Sequence, residues 1–289
     1  MTDLPILAPD DWTDYALLDS GNGMKLERFA DFTVARPDPR ILWEPKLPES
    51  EWKKADATYI RSTKTEGHWQ IAKNPATPWI IQYEHIKFLL RATSFKHVGI
   101  FPEQAVNWRW LQDQIKQKPL SVLNLFGYTG AATIAAALAG AKVTHVDSQS
   151  GVIAWAKENA ATNRVPTDRT RWITDDVYKF VLREQKRGVT YDGIIMDPPR
   201  FGRGTKGEVW KLEDDLPKLL SSCISLLSTN AQFLLINAYT ADMSAIVIGQ
   251  MLRDALKNHG GTVTFGELAL KEQNTDRLLP SGIFSRWQT

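Results

Sequence analysis

Between Val122 and Asp147 the chain runs Val-Leu-Asn-Leu-Phe-Gly-Tyr-Thr-Gly-Ala, passes through an alanine-rich stretch, and ends Lys-Val-Thr-His-Val-Asp. No other segment restricts the fold as much. Val122 to Phe126 is an apolar run of strand length, Gly127 to Gly130 a turn, Thr133 to Leu138 a helical pattern, and Val143 to Val146 a second strand. The pattern predicts one βαβ unit. Asp147 ends its second strand twenty positions after Gly127, where a carboxylate can accept hydrogen bonds from both hydroxyls of a ribose.

The glycine pattern narrows the ligand. A dinucleotide site needs Gly-x-Gly-x-x-Gly, which brings backbone amides at a helix N-terminus up to a pyrophosphate. Here Gly127-Tyr128-Thr129-Gly130 is followed by Ala131 and Ala132, and the Gly-x-x-x-x-Gly-Lys phosphate loop is also absent. A nicotinamide-dependent oxidoreductase therefore lacks its phosphate anchor. Such a turn suits a ligand with a ribose and no phosphate, of which S-adenosylmethionine is the common one, or else two glycines that merely permit tight packing.

Downstream, helical and strand patterns alternate. Helix is expected over Val152–Ala161, Val177 to about Lys186, Asp214–Leu227 and Asp242–Asn258, and strand over Arg171–Thr174, Tyr191–Met196, Gln232–Ile236, Val263–Leu270 and Ile283–Trp287. Regular alternation predicts a mostly parallel sheet covered on both faces, with ligands beyond the carboxyl ends of its strands. Acids fall at those ends: Asp147, with Ser148 beside it, the pair Asp175-Asp176, and Asp197. Asp176 can accept from an adenine amino group while Val177 packs on the ring, or it can cap the helix that follows; one carboxylate can do both. Asp197-Pro198-Pro199-Arg200-Phe201 is more specific, because two prolines after an apolar strand hold the backbone extended and remove two donors, leaving carbonyls to face a substrate. Gly202, Arg203, Gly204, Lys206 and Gly207 then form a basic loop long enough to close over one.

Residues 1–85 differ from the rest. Short β-type runs (Phe29–Val34, Ala57–Ile60, Trp69–Ala72, Trp79–Tyr83) and the prolines Pro37, Pro39, Pro45 and Pro48 predict a small β-rich domain with a loop over 36–50, followed from residue 86 by the main domain. Pro102 is expected in the first turn of a helix that includes Gln104 and Leu111. The single cysteine, Cys223, excludes an internal disulfide, and the five histidines show no ligand spacing, so no metal is expected. With no apolar run of membrane length and no basic-then-apolar start, the chain reads as cytoplasmic. A net charge of +2 names no partner, although Trp108-Arg109-Trp110, Arg171-Trp172 and Arg286-Trp287 are pairings that can stack on unpaired bases as well as fill a core.

The run Asn124-Leu125-Phe126-Gly127-Tyr128-Thr129-Gly130-Ala131, with Asp147, Asp176-Val177 and Asp197-Pro198-Pro199-Arg200-Phe201, resembles the class I S-adenosylmethionine-dependent methyltransferases. More narrowly it is similar to the large-subunit ribosomal RNA enzymes that modify cytosine C5 or guanine N7. The likeness covers about residues 85–289. It implies a Rossmann-like seven-stranded sheet with an antiparallel last strand, S-adenosylmethionine as cofactor and RNA as substrate. It further implies that Asn124 and Phe126 to Ala131 surround the methionine part, Asp147 and Ser148 the ribose, Asp176 and Val177 the adenine, and that Asp197 to Phe201 face the methyl acceptor, with Asp197 also at the cofactor. Relatives carry Asp-Gln-Arg before the first strand. Here the run is Glu103-Gln104-Ala105, so the resemblance carries Gln104 to the cofactor and supplies no arginine. The RNA-binding PUA domain of some relatives is not evident in residues 1–85.

Methylating a pyrimidine C5 ordinarily needs a thiolate that adds to the ring. Cys223 falls on the apolar face of the expected helix Asp214–Leu227, away from the strand ends. Direct transfer to a nitrogen needs positioning and desolvation alone. N-methylation is therefore the expected chemistry. Cytosine C5, a protein or small-molecule acceptor, and a cofactor-binding module without turnover are the alternatives.

Overall fold

The computed structural model describes residues 4–63, 66–116, 118–203, 209–239 and 243–289. Two compact units divide the chain. One comprises Val106–Leu268 and Gly282–Thr289 with the first residues up to Leu7, the other Ala8–Ala105 with Ala269–Ser281. The expected division at 85/86 falls inside the second unit, because Ile86–Leu90 pairs antiparallel with Trp79–Tyr83.

The larger unit is built on an eight-stranded sheet in the order Ile6–Leu7, Thr262–Lys271, Leu278–Gln288, Phe233–Ala238, Gly193–Met196, Ser121–Leu125, Lys142–Asp147, Thr170–Thr174. Without the two-residue edge strand, the seven long strands stand in the sequence order 3-2-1-4-5-7-6. Leu278–Gln288 is antiparallel to Phe233–Ala238, and the strands from Phe233–Ala238 to Thr170–Thr174 are mutually parallel. The expected seven-stranded Rossmann-like sheet is thus present, extended at one edge by Ile6–Leu7. Its order reverses at Ser121–Leu125, which lies between Lys142–Asp147 and Gly193–Met196; a crevice opens beyond the strand ends at such a point.

Alternation along the central strands sorts their side chains onto two cores. Leu123, Leu125, Ile194, Met196, Leu234 and Ile236 pack with Phe180, Leu219, Cys223 and Leu252 of the helices Val177–Arg187, Leu212–Ile224 and Ala245–Leu256. Val122, Ile195 and Leu235 face the opposite way, onto Leu111, Ile115 and Ala136 of the helices Ala105–Ile115 and Ala131–Leu138. Both faces are therefore dry, as a parallel sheet requires.

The smaller unit holds a five-stranded sheet (Tyr15–Gly21, Met24–Phe29, Phe32–Pro37, Ala57–Arg61, Gly67–Ile71) and the hairpin of Trp79–Tyr83 with Ile86–Leu90. The expected strand Phe29–Val34 is broken by a turn in which Ala30 takes a left-handed φ of 54°. Phe29, Phe32 and Trp79 meet edge to face in its core. Glu27 is fully enclosed there; burial favours its neutral form, but Arg36 and Lys25 outweigh that and hold the carboxyl down at about 2.

Candidate active site

The turn after Ser121–Leu125 is held in an unusual backbone shape. Phe126 and Tyr128 adopt left-handed φ values of 57° and 49°, and Gly130 adopts 89°. Each non-glycine residue there costs about 1–2 kcal/mol, which the surroundings must offset. Bonds that do so include Gly127 N to Val146 O at 3.1 Å, Gly130 N to Gly127 O at 3.0 Å, Tyr128 N to Asp147 Oδ2 at 3.0 Å, and Asn159 Nδ2 to Thr129 O at 2.9 Å. The helix Ala131–Leu138 starts directly behind Gly130, and no side chain caps it.

Beneath the turn lies a buried polar chain. Asn124 Nδ2 donates to Thr133 Oγ1 at 2.8 Å, and Thr133 Oγ1 meets His145 Nδ1 at 2.8 Å. Burial pushes His145 down to about 3, so the ring is neutral at physiological pH, and it lies 4.8 Å from the Trp172 ring. Asn124 was expected at the cofactor. Its side-chain amide donates to Thr133 in the interior, so Asn124 also supports the turn from below.

The same packing explains why position 127 is glycine. A Cβ there would stand 2.4 Å from the His145 ring. Gly127→Ala is expected to destabilise the fold by about 1–3 kcal/mol through overpacking. Because Gly127 has no left-handed φ, adding His145→Ser should restore most of the loss. Denaturant unfolding of the single and double variants checks this, and an unrestored double variant would show that the ring is not the obstacle.

Asp147 stands at the end of its strand, with Oδ2 accepting from Tyr128 N and Oδ1 from Gln149 N, each at 3.0 Å. Burial raises its carboxyl, while the amides of Gln149, Tyr128 and Ser148 oppose the shift. A carboxylate has about four lone-pair sites, and the three amides leave room for a further donor. Two strands' ends meet at this point, since Asp175 N donates to Asp147 O at 3.0 Å. Asp176 caps Val177–Arg187 by accepting from Lys179 N at 2.9 Å, and Val177 behind it is buried. Asp176 also borders a pocket of about 180 Å³, lined further by Tyr178, Lys179, Val209, Trp210, Asp215 and Lys218.

Asp197 follows Gly193–Met196 and donates its amide to Leu125 O at 3.3 Å, which ties it to the start of the glycine turn. Among the described residues nothing pairs with its carboxylate, and burial raises it to about 7. Pro198 is buried, whereas Pro199, Arg200 and Phe201 are exposed. The strands Phe201–Arg203 and Val209–Lys211 form a hairpin whose Trp210 was not foreseen as a site residue. Trp210 Nε1 donates to Pro199 O at 2.6 Å, and its ring lies 5.2 Å from that of Phe126. One of the two carbonyls expected to face a substrate is thus occupied. A lone tryptophan in a polar hairpin carries no motif that would have singled it out. Of the expected basic loop, Gly204, Lys206 and Gly207 lie outside the described residues.

The larger unit therefore brings together Phe126 to Ala131, Asp147, Asp176, Asp197 and the Pro-Pro run. Gln104 belongs to the smaller unit, where it ends the turn Pro102–Gln104 and is buried. Cys223 lies in the core under Leu212–Ile224, and burial raises its thiol well above the usual range. Among the described residues no group of three or more His, Cys, Asp or Glu side chains is gathered to hold a metal, and no helix is long and apolar enough to cross a membrane.

A sheet of this order with a ribose-type acid beside a phosphate-free glycine turn defines a class, and a family model matches it: residues 59–259 fit the S-adenosylmethionine-dependent methyltransferases, more than half of the chain. The chain belongs to this family, and S-adenosylmethionine is its cofactor. A solved S-adenosylmethionine-dependent methyltransferase from Agrobacterium tumefaciens is 42% identical, with a TM-score of 0.93 over 100% of this chain and 96% of that one. The ribosomal RNA large subunit methyltransferase K/L of Shewanella frigidimarina is 35% identical over 153 residues, 52% of this chain and 21% of that protein. The match thus spans about a fifth of the length of that curated relative. The solved protein SMU.776, in complex with SAH, is 20% identical with a TM-score of 0.72 over 96% of this chain and 76% of that one, and shares the fold.

The residues present fit the cofactor. Remaining lone pairs on Asp147 and a helix start at Ala131 without a side-chain cap provide acceptors and donors.

Proposed function

We propose that this chain methylates a base nitrogen of RNA, ribosomal RNA being the substrate class its curated relatives are named for. The carrying observation is Asp197: a carboxyl without a partner among the described residues, raised to about 7, at the end of the strand next to the one where the sheet order reverses. Bound S-adenosylmethionine supplies a methyl group on a sulfonium, an electrophile that any well-placed lone pair can attack. The amides at the start of Ala131–Leu138 suit the methionine carboxylate, Asp147 with Ser148 the ribose hydroxyls, and Asp176 with Val177 the adenine. On the acceptor side, Asp197 accepts a proton or hydrogen bond from the base, which sharpens the neighbouring lone pair, and Pro198 and Pro199 keep that edge of the crevice rigid and poor in water. Arg200 and Phe201, both exposed, are suited to a phosphate and to stacking on a base.

A carboxylate that must be ionised to accept gives a rate that rises with pH and levels off above about 7. The cysteine separates nitrogen from C5 chemistry. Cys223→Ala should leave activity per folded molecule unchanged and cost about 1 kcal/mol of stability. A folded but inactive variant would restore the C5 mechanism. The reading itself is tested by methyl-label transfer to purified RNA, free ribosomal subunits and a protein extract in parallel. Label is expected in RNA or subunits, and label confined to protein would overturn it.

A further inference from the structure

A buried arginine stands two strands away from Asp197 in the sheet. Arg286, on Leu278–Gln288, is 8% exposed, has no carboxylate partner among the described residues, and stacks between the rings of Trp110 at 5.0 Å and Phe284 at 4.7 Å. Burial lowers it to about 10. An uncompensated buried cation is expensive, and an aliphatic side chain would fill the same space more cheaply. What arginine supplies that an aliphatic side chain does not is five donors and no acceptor.

That asymmetry sets the direction of a chain of amides. Arg286 Nε donates to Asn107 Oδ1 at 3.0 Å, and its terminal nitrogen donates to the same oxygen. The NH2 group of Asn107 must then face away, and it donates to Asn237 Oδ1 at 2.8 Å. Asn237 is obliged to present its oxygen to Asn107, so its own NH2 points elsewhere. That nitrogen has no partner among the described residues, and the residue is 4% exposed.

The register places the residue in the sheet. Gly193–Met196 and Phe233–Ala238 pair in parallel up to Met196 with Ile236. One residue further stand Asp197 and Asn237, on the face of Ile195 and Leu235 that carries the helix Ala105–Ile115. A donor fixed in direction and an acceptor thus lie level on adjacent strands at the mouth of the crevice.

We propose that Asn237 contacts the methyl acceptor, donating an N–H to an acceptor atom beside the group that Asp197 receives from, and that Arg286 and Asn107 are positioning residues that hold the Asn237 amide in this polarity. The proposal rests on the reading of Asp197 as the acceptor-side carboxylate. It gives the site both halves of a hydrogen-bonding edge, whereas Asp197 alone supplies one.

The test uses the full chain and whichever fraction (RNA, ribosomal subunits or protein) the wild type labels. Asn237→Ala and Arg286→Gln, the second freeing the amide chain to flip, should each lower turnover by about tenfold or more while S-adenosylmethionine affinity stays within about threefold. Arg286→Lys, still a donor-only cation, should recover most of that activity. Thermal midpoints identify any variant that fails to fold. Unchanged turnover in folded Asn237→Ala, or equal losses in Arg286→Gln and Arg286→Lys, would overturn the proposal. If the wild type labels protein alone, the RNA reading falls, and Asn237 is judged on that fraction by the same comparison. An NMR measurement without any acceptor decides the polarity: the Asn237 side-chain NH2 should exchange readily with solvent and that of Asn107 slowly, and the reverse order would overturn it.

Discussion

Asp197→Asn is expected to lower turnover by about tenfold or more while making the folded protein more stable at alkaline pH. Both effects have one cause. The carboxyl sits in the crevice without a partner among the described residues, and burial raises it to about 7, well above the value of about 3.9 in an unfolded chain. Between those values the folded state binds more protons than the unfolded one, so stability falls as pH rises from about 4 through about 7 and is flat above that. Asparagine does not titrate. The stability difference between variant and wild type should therefore be small near pH 4 and widen to about 1–2 kcal/mol by pH 8, after discounting for partial solvent access. Thermal midpoints at both pH values measure it, with S-adenosylmethionine affinity as the control. A difference independent of pH would mean that Asp197 is solvated and ordinary, and undiminished turnover would move the chemistry elsewhere.

Asp147→Ala is expected to weaken S-adenosylmethionine binding by about a hundredfold or more, about 3 kcal/mol for two hydrogen bonds to a charged acceptor. Part of that loss comes through the turn. Asp147 Oδ2 accepts from Tyr128 N, one of the bonds that hold two non-glycine residues at left-handed φ. Removing it frees Tyr128 to relax out of the shape the ligand meets. Asp147→Asn keeps an acceptor for one amide and should fall between wild type and alanine. Calorimetric titration of the three proteins orders them, and unaltered affinity in a folded alanine variant would sink the ribose assignment.

How much of this was legible in the sequence depended on whether the signal was local. Strand, turn and acid at 122–147 are consecutive, and the alternation of apolar runs from Val152 onward carries the parallel sheet, so both emerged with boundaries shifted by a few residues. The short edge strand Ile6–Leu7 was not legible, because two residues show no period and their pairing with Glu267 and Leu268 spans most of the chain. The first two strands of the smaller unit, Tyr15–Gly21 and Met24–Phe29, were missed since they carry buried charges such as Asp19 and Glu27, which break the apolar alternation that marks a strand. Asp147, Asp176 and Asp197 were singled out through their motifs, and the structure places them at strand ends. Trp210 and Asn237 were not, because what distinguishes them is a partner, Pro199 for one and Asn107 for the other, on a different element. The bond from the Asn124 amide down to Thr133 was likewise not legible, since composition does not set a side chain's direction.

Digesting methyl-labelled RNA to nucleosides and locating the methyl group by mass spectrometry tests the central claim, direct transfer at the Asp197-Pro198-Pro199 edge without a covalent enzyme intermediate. The account predicts a methyl on a ring or exocyclic nitrogen of a base, with the same product from Cys223→Ala. A methyl on pyrimidine C5 that disappears in folded Cys223→Ala would contradict it.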